Sequence, residues 1–188
     1  SLVVPACDYV IDEASDWSNI NSSNYRVFCI APGNYTSVGT IRLTANGSPG
    51  SERWIVYKDG SAPTSQHPYT LSPDKRAIIH GMYLGNASYW VIDRLTLDSA
   101  GASAVLLTGG ASHNVFNKVD AYNFKEGIYI QHGSDYNTVQ NSTLHDQVLT
   151  DRAAIGINSW DISKPNPDSR HTRILDNEIW NVTDAIQL

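Results

Sequence analysis

Long apolar runs are missing from this chain of 188 residues. No stretch approaches the roughly 18 consecutive apolar residues of a membrane span, which argues against one. Charge is scarce too, at 17% of residues against about 25% in an average globular chain. Thirteen basic residues against nineteen acidic leave a net charge of -6, which argues against a nucleic-acid binder held by phosphate contacts. Cysteine occurs only twice, as Cys7 and Cys29. Two isolated thiols fit neither a zinc site nor a CxxC redox motif. A Cys7–Cys29 disulfide is the simplest reading, and it implies an oxidising compartment.

The N-terminus lacks a basic segment and a long apolar core, so any signal peptide is expected to have been removed. Asn-x-Ser/Thr sequons, by contrast, are abundant. They fall at Asn21, Asn34, Asn46, Asn86, Asn141 and Asn181, an excess over chance for this composition. The reading is a secreted, extracellular glycoprotein. Asn141 is expected to be the least reachable acceptor, because a bend Asn stacked in a ladder has its amide already bonded.

Helical periodicity is also absent, and a different period takes its place. Apolar alternations recur at Met82–Leu84, Val105–Leu107, Ile128–Ile130, Ile155–Ile157 and Ile186–Leu188. Their last residues are spaced by 23 (84 to 107), 23 (107 to 130), 27 (130 to 157) and 31 (157 to 188). A polar turn and a second strand-like run follow each: Tyr89–Ile92, Asn114–Phe116, Thr138–Gln140 and Thr172–Leu175. A third run follows directly at Leu95–Leu97, Val119–Ala121, Thr143–Leu144 and Glu178–Trp180. Three short strands per ~23 residues leave no room for a helix and predict an all-β parallel solenoid of about five to six coils. Asn117, Asn141 and Asp176 are expected at the bend between the second and third runs, where left-handed backbone is needed.

The whole chain, 1–188, reads as one β-helix domain. Residues 1–24 form an N-terminal segment or cap, and 59–76 and 163–170 read as loops leaving the coil. Ala185–Leu188 match the opening of a further coil, so the chain is expected to be a fragment of a longer protein.

The segments VFCIAPGNYTSVGTIRL, NGSPGSERWIVYKDG, YWVIDRLTLD and NTVQNSTLHD together resemble the right-handed parallel β-helix proteins of the pectin-lyase-like superfamily. These are scaffold motifs, so the resemblance speaks to fold more than to activity. It implies action on acidic polysaccharide, in a groove along the first strand of each coil. Lys125 and Arg152 each lie three residues before that strand's first inward isoleucine and are expected to stack in neighbouring coils. His132 and Trp160 leave the strand on its other side.

A uronate lyase needs a cation for the carboxylate and a base for the α-proton. Such a Lys–Arg pair is similar to those of β-helix lyases. Lys125, Arg152 and His132 are therefore the catalytic candidates, and Tyr129, Gln131, Asn158 and Trp160 the substrate-binding ones. Asp146, Asp151 and Asp161 show no spacing that singles out a hydrolase pair. His132, His145, Asp146 and His171 lie in no known metal-ligand spacing, so neither a metal nor a cofactor is expected. The expected partner is a polysaccharide or cell-wall glycan. The rival readings are a structural protein that self-associates head to tail through its last coil, and a carbohydrate-binding surface without turnover.

Overall fold

The 23-residue period is the circumference of one coil. The structure is a computed structural model that describes residues 2–59, 62–63, 67–149, 152–158 and 169–188. β1 (Tyr9–Ile11) opens the stack. The first full coil holds β2 (Val27–Ile30), β3 (Gly33–Asn34) and β4 (Thr40–Leu43). The second holds β5 (Arg53–Asp59), with β6 (Ala62–Pro63) antiparallel beside it, then β7 (Ala77–Ile79) and β8 (Gly81–Gly85). β9 (Trp90–Asp93), β10 (Thr96–Asp98) and β11 (Ser103–Thr108) make the third coil. β12 (Val115–Asn117), β13 (Asp120–Tyr122) and β14 (Glu126–Gln131) make the fourth. β15 (Thr138–Gln140), β16 (Thr143–His145) and β17 (Ala153–Asn158) follow, and then β18 (Arg173–Leu175), β19 (Glu178–Trp180) and β20 (Asp184–Gln187).

Each strand pairs in parallel with its equivalent one coil away, giving a three-sheet parallel β-helix. Sheet one runs β1-β2-β5-β9-β12-β15-β18, sheet two β3-β7-β10-β13-β16-β19, and sheet three β4-β8-β11-β14-β17-β20. The register is the one that the repeat predicts: Met82, Val105, Ile128, Ile155 and Ile186 align in one column of sheet three. Inward side chains stack coil on coil into one core. Ile55, Ile92, Phe116 and Val139 come from sheet one, Ile79, Leu97, Ala121 and Leu144 from sheet two, and Leu84, Leu107 and Ile130 from sheet three. Apart from Ala121, each such burial contributes about 1.5–3 kcal/mol. The stack loosens at β20, where Ile186 is 47% exposed. Among the described residues, no helix is long and apolar enough to cross a membrane.

At the other end, a 3₁₀ turn at Ala14–Asn19 sends Trp17 into the core, followed by Ile20. The chain before β1 takes a separate path. Val4 and Cys7 cover Val27, Cys29, Trp54 and Val56 on the outer face of sheet one. The Cys7–Cys29 disulfide, with a Cα–Cα distance of 5.7 Å, ties that cover down. Alkylation of the native protein without reductant should find no free thiol. Replacing both cysteines by serine should lower stability by about 3 kcal/mol, because the bond closes a loop of 22 residues. A shift in the urea midpoint measures it.

The corners need one correction. The left-handed residues between sheets one and two are Arg94, Lys118, Asn141 and Asp176, so Asn117 is not among them. Asn117 is the last residue of β12 and is buried. Its amide donates to Asp93 Oδ1 at 2.8 Å and its Oδ1 accepts from Gln140 and Asn141. Asn117 thus lies in the ladder beside the corner, while arginine, lysine, asparagine and aspartate take the corner itself in successive coils.

The excursion after β5 does not simply leave the coil. Residues 67–76 lie back over the outer face of sheet two, with short 3₁₀ turns at Pro68–Thr70 and Pro73–Lys75. Of the second excursion, 163–168 lie outside the described residues. Arg170 rejoins the coil by donating its amide to Asp135 Oδ1.

Candidate functional site

Strand alternation points Arg42, Tyr83, Leu106, Tyr129, Gly156 and Gln187 outward in one column of sheet three. The Arg42 guanidinium sits 4.8 Å from the centre of the Tyr83 ring. Tyr129 lies flat over Gly156, where a Cβ would run into the ring. That contact leaves Tyr129 only 3% exposed, so its ring is packed rather than open for sugar stacking. Gln131 and Asn158 are backbone partners at the ends of β14 and β17. Trp160, Asp151 and Asp161 lie outside the described residues.

The strands are entered at Lys125 and Arg152. The pairing of Ile128 with Ile155 puts these two residues at equivalent positions in neighbouring coils. Gln147 fastens them together, because its Nε2 donates to the carbonyl of Lys125 at 2.8 Å and of Arg152 at 2.6 Å. Arg152 Nε lies 3.4 Å from Glu126 Oε1, and its Nη1 3.4 Å from the Tyr129 hydroxyl. Glu126 also accepts from Ser103 Oγ at 2.6 Å. A cation, a carboxylate and a phenol therefore meet at one end of the sheet-three face.

His132 stands elsewhere. It follows β14 in left-handed backbone, with Nδ1 2.8 Å from Thr108 Oγ1. The six residues of β14 separate it from Lys125, a span of about 20 Å at ~3.3 Å per residue. One reacting bond cannot touch both. Of the three catalytic candidates, the fold brings together Lys125 and Arg152 and sets His132 apart.

Sheet two carries a second polar cluster that the repeat gives no hint of. Asp120 is fully buried and is held by Arg76 Nη1 and His145 Nε2, each at 3.1 Å. The other ring nitrogen of His145 lies 2.8 Å from Asp146 Oδ2. Burial works against a charge on His145, but the hydrogen bonds to Asp120 and Asp146 outweigh it and hold its pKa above the ordinary range. Tyr122 and Trp180 stack on the two sides of the imidazole, and Tyr69 meets it edge-on. With carboxylates on both nitrogens, His145 serves as a clamp for the 67–76 segment rather than as a free proton carrier. Among the described residues, no three His, Cys, Asp or Glu side chains converge to hold a metal ion.

A stack of four rings, Tyr89, His113, Tyr136 and His171, runs down the corner between sheets three and one. The centroids are 4.7, 5.0 and 4.4 Å apart, and all four residues have positive φ. Set against known proteins, no family model, no curated protein and no solved structure matches the chain.

Proposed function

We propose that this β-helix is an extracellular protein that cleaves an acidic polysaccharide by β-elimination at the Lys125–Arg152 end of sheet three. The observation that carries the reading is the side-by-side placement of these two residues by strand register and by Gln147. Arg152 neutralises the uronate carboxylate, sharing its charge with Glu126. The Lys125 amine takes the proton α to that carboxylate. The C–H electrons become the new double bond, the glycosidic C–O bond breaks, and the Lys125 ammonium returns the proton to the departing oxygen. Gln131 and His132 contact sugar units further along the face.

Incubation with soluble polyuronates should raise the ultraviolet absorbance of unsaturated uronate ends. Lys125→Ala and Arg152→Ala should each lower the rate by roughly 10²–10⁴-fold, whereas His132→Ala leaves the rate within a factor of about ten. Absence of the unsaturated product with every polyuronate would sink the reading.

The sequons fit an extracellular setting, and their geometry divides them. The amide nitrogens of Asn21, Asn141 and Asn181 are already donated, to Arg42 O, Asn117 Oδ1 and Asp146 Oδ1. Asn34, Asn46 and Asn86 are exposed and use only side-chain oxygen or backbone in the described bonds. Protein from a glycosylating host should carry glycans on Asn34, Asn46 and Asn86 and leave the other three bare. Glycopeptide mass spectrometry decides this, and the reverse pattern would refute it.

A further inference from the structure

Arg53, the first residue of β5, is only 6% exposed, and no described acidic side chain pairs with it. Its guanidinium is wedged beside aromatic rings, 4.8 Å from the centre of Trp90 and 5.6 Å from Phe28. Nη2 donates to the carbonyls of Ile20 and Ser22 at 3.0 and 2.9 Å. Nε is buried and has no hydrogen-bond partner among the described residues. A buried cation with no counter-charge is costly, and here burial alone draws the arginine's pKa down.

The same residue lines a cavity of about 610 Å³, within the roughly 300–1,000 Å³ of small-molecule sites. Its lining also includes Asp8, Ser23, Asn24, Tyr25, Arg26 and Asn46. The Asp8 carboxylate is engaged, since Oδ2 accepts from the amides of both Arg26 and Val27 at 2.9 Å. Two guanidinium groups against one carboxylate leave the cavity net positive. Hydroxyls, amides and one aromatic ring complete a lining suited to a sugar.

We propose that this cavity binds the carboxylate end of a short acidic saccharide, with Arg53 as the anchoring cation and the Ser and Asn side chains on the sugar hydroxyls. With Nη2 engaged and Nε buried, a carboxylate oxygen meets the guanidinium at Nη1 and supplies the missing counter-charge. The site shares only its ligand class with the proposed lyase chemistry, and it stands at the opening of sheet one rather than at Lys125 and Arg152.

The test is isothermal calorimetry on the disulfide-bonded protein from a non-glycosylating host, because Asn46 lines the cavity and a glycan on it would obstruct binding. The probes are digalacturonate, its methyl ester and sodium sulfate. The protein carries Lys125→Ala and Arg152→Ala, so binding is read without turnover, and loss of lyase activity in the parent would leave the result untouched. Digalacturonate should bind and raise the melting temperature, whereas the ester and sulfate should do neither. Arg53→Met keeps most of the stem but removes the charge, and should weaken binding at least about tenfold. Where that variant does not fold, Ser23→Trp fills the cavity from its exposed wall and should abolish binding without changing the melting temperature. Equal binding of the ester or of sulfate, or no binding of digalacturonate, would overturn the proposal.

Discussion

Replacing Gly127 by alanine should cost about 4 kcal/mol and remove most soluble protein, the largest effect expected of any single methyl in this chain. A Cβ at Gly127 would collide with the carbonyl oxygen of Ala154 in the next coil and stand 2.9 Å from Leu144 Cδ2. The obstacle is backbone already placed by the pairing of β14 with β17, so no rotamer change relieves it. Gly156 makes an instructive contrast, since its Cβ would meet the Tyr129 ring, which is a side chain. Gly156→Ala should therefore be rescued in part by Tyr129→Ala, while Gly127→Ala should not. Gly39 tests conformation alone: its φ is +75° and nothing lies within 4 Å of its Cβ position. Its ψ of −151° puts it in a region of backbone space that is essentially restricted to glycine, so alanine there should cost about 1–3 kcal/mol. Urea unfolding of these variants orders the effects, and a Gly127→Ala protein as stable as the parent would contradict the packing argument.

Gly127 also shows why the fold was legible. Inward aliphatic residues recur at a fixed spacing because each coil must bury its own face on its neighbour. The period then reveals both the strand and its register. Val105, Ile128 and Ile155 could thus be aligned without coordinates, and they pair as aligned. Positions whose chemistry changes from coil to coil stayed hidden. The left-handed corner holds Arg94, Lys118, Asn141 and Asp176 in turn, so a search for Asn and Asp finds half of it and misplaces one member. The ring stack alternates Tyr and His for the same reason.

The candidate site was legible only where it rides on the repeat. Lys125 and Arg152 could be placed because each precedes an inward isoleucine by three residues. Contacts made by excursions had no such guide. Arg76 and Asp120 lie 44 residues apart, and His67 and Asn141 lie 74 apart, with nothing periodic between them. Arg53 was missed for another reason: it stands directly before the apolar and aromatic run Trp54–Tyr57, and the wall around it comes from loops in the first part of the chain.

Removing the carboxylate of Asp120 should cost about 3–5 kcal/mol, the second large effect, because Arg76 would lose its described carboxylate partner and His145 one of its two. For a chain of this length that corresponds to roughly 10 °C in melting temperature. Asp120→Asn, which keeps the shape and one acceptor, should lose less than Asp120→Ala. The pH dependence follows from the two histidines of this region. His145 has a folded pKa above its ordinary 6.5, so its contribution is complete below about pH 6.5 and disappears as pH rises through the folded value. Around it stand Asp120, Asp146, Tyr122 and Tyr69, with Arg76 beyond Asp120.

His67 has the opposite sign. Burial lowers its pKa, aided by the nearby charge of Lys118 and against the contact with the Asn141 carbonyl and the charges of Asp120 and Glu178. Its Nε2 lies 3.0 Å from Asn141 O and its Nδ1 accepts from Tyr69 N, a pairing that suits the neutral ring. Protonation below about pH 6.5 therefore destabilises the fold increasingly as pH falls. The attachment of residues 67–76 to sheet two should be firmest near pH 6.5, where His67 is still neutral and the contribution of His145 has only begun to fall. Melting temperature against pH should show His145→Gln flattening the fall on the alkaline side, and His67→Gln flattening the fall on the acid side. Unchanged slopes in both variants, or the two effects exchanged, would show that neither histidine holds the segment as described.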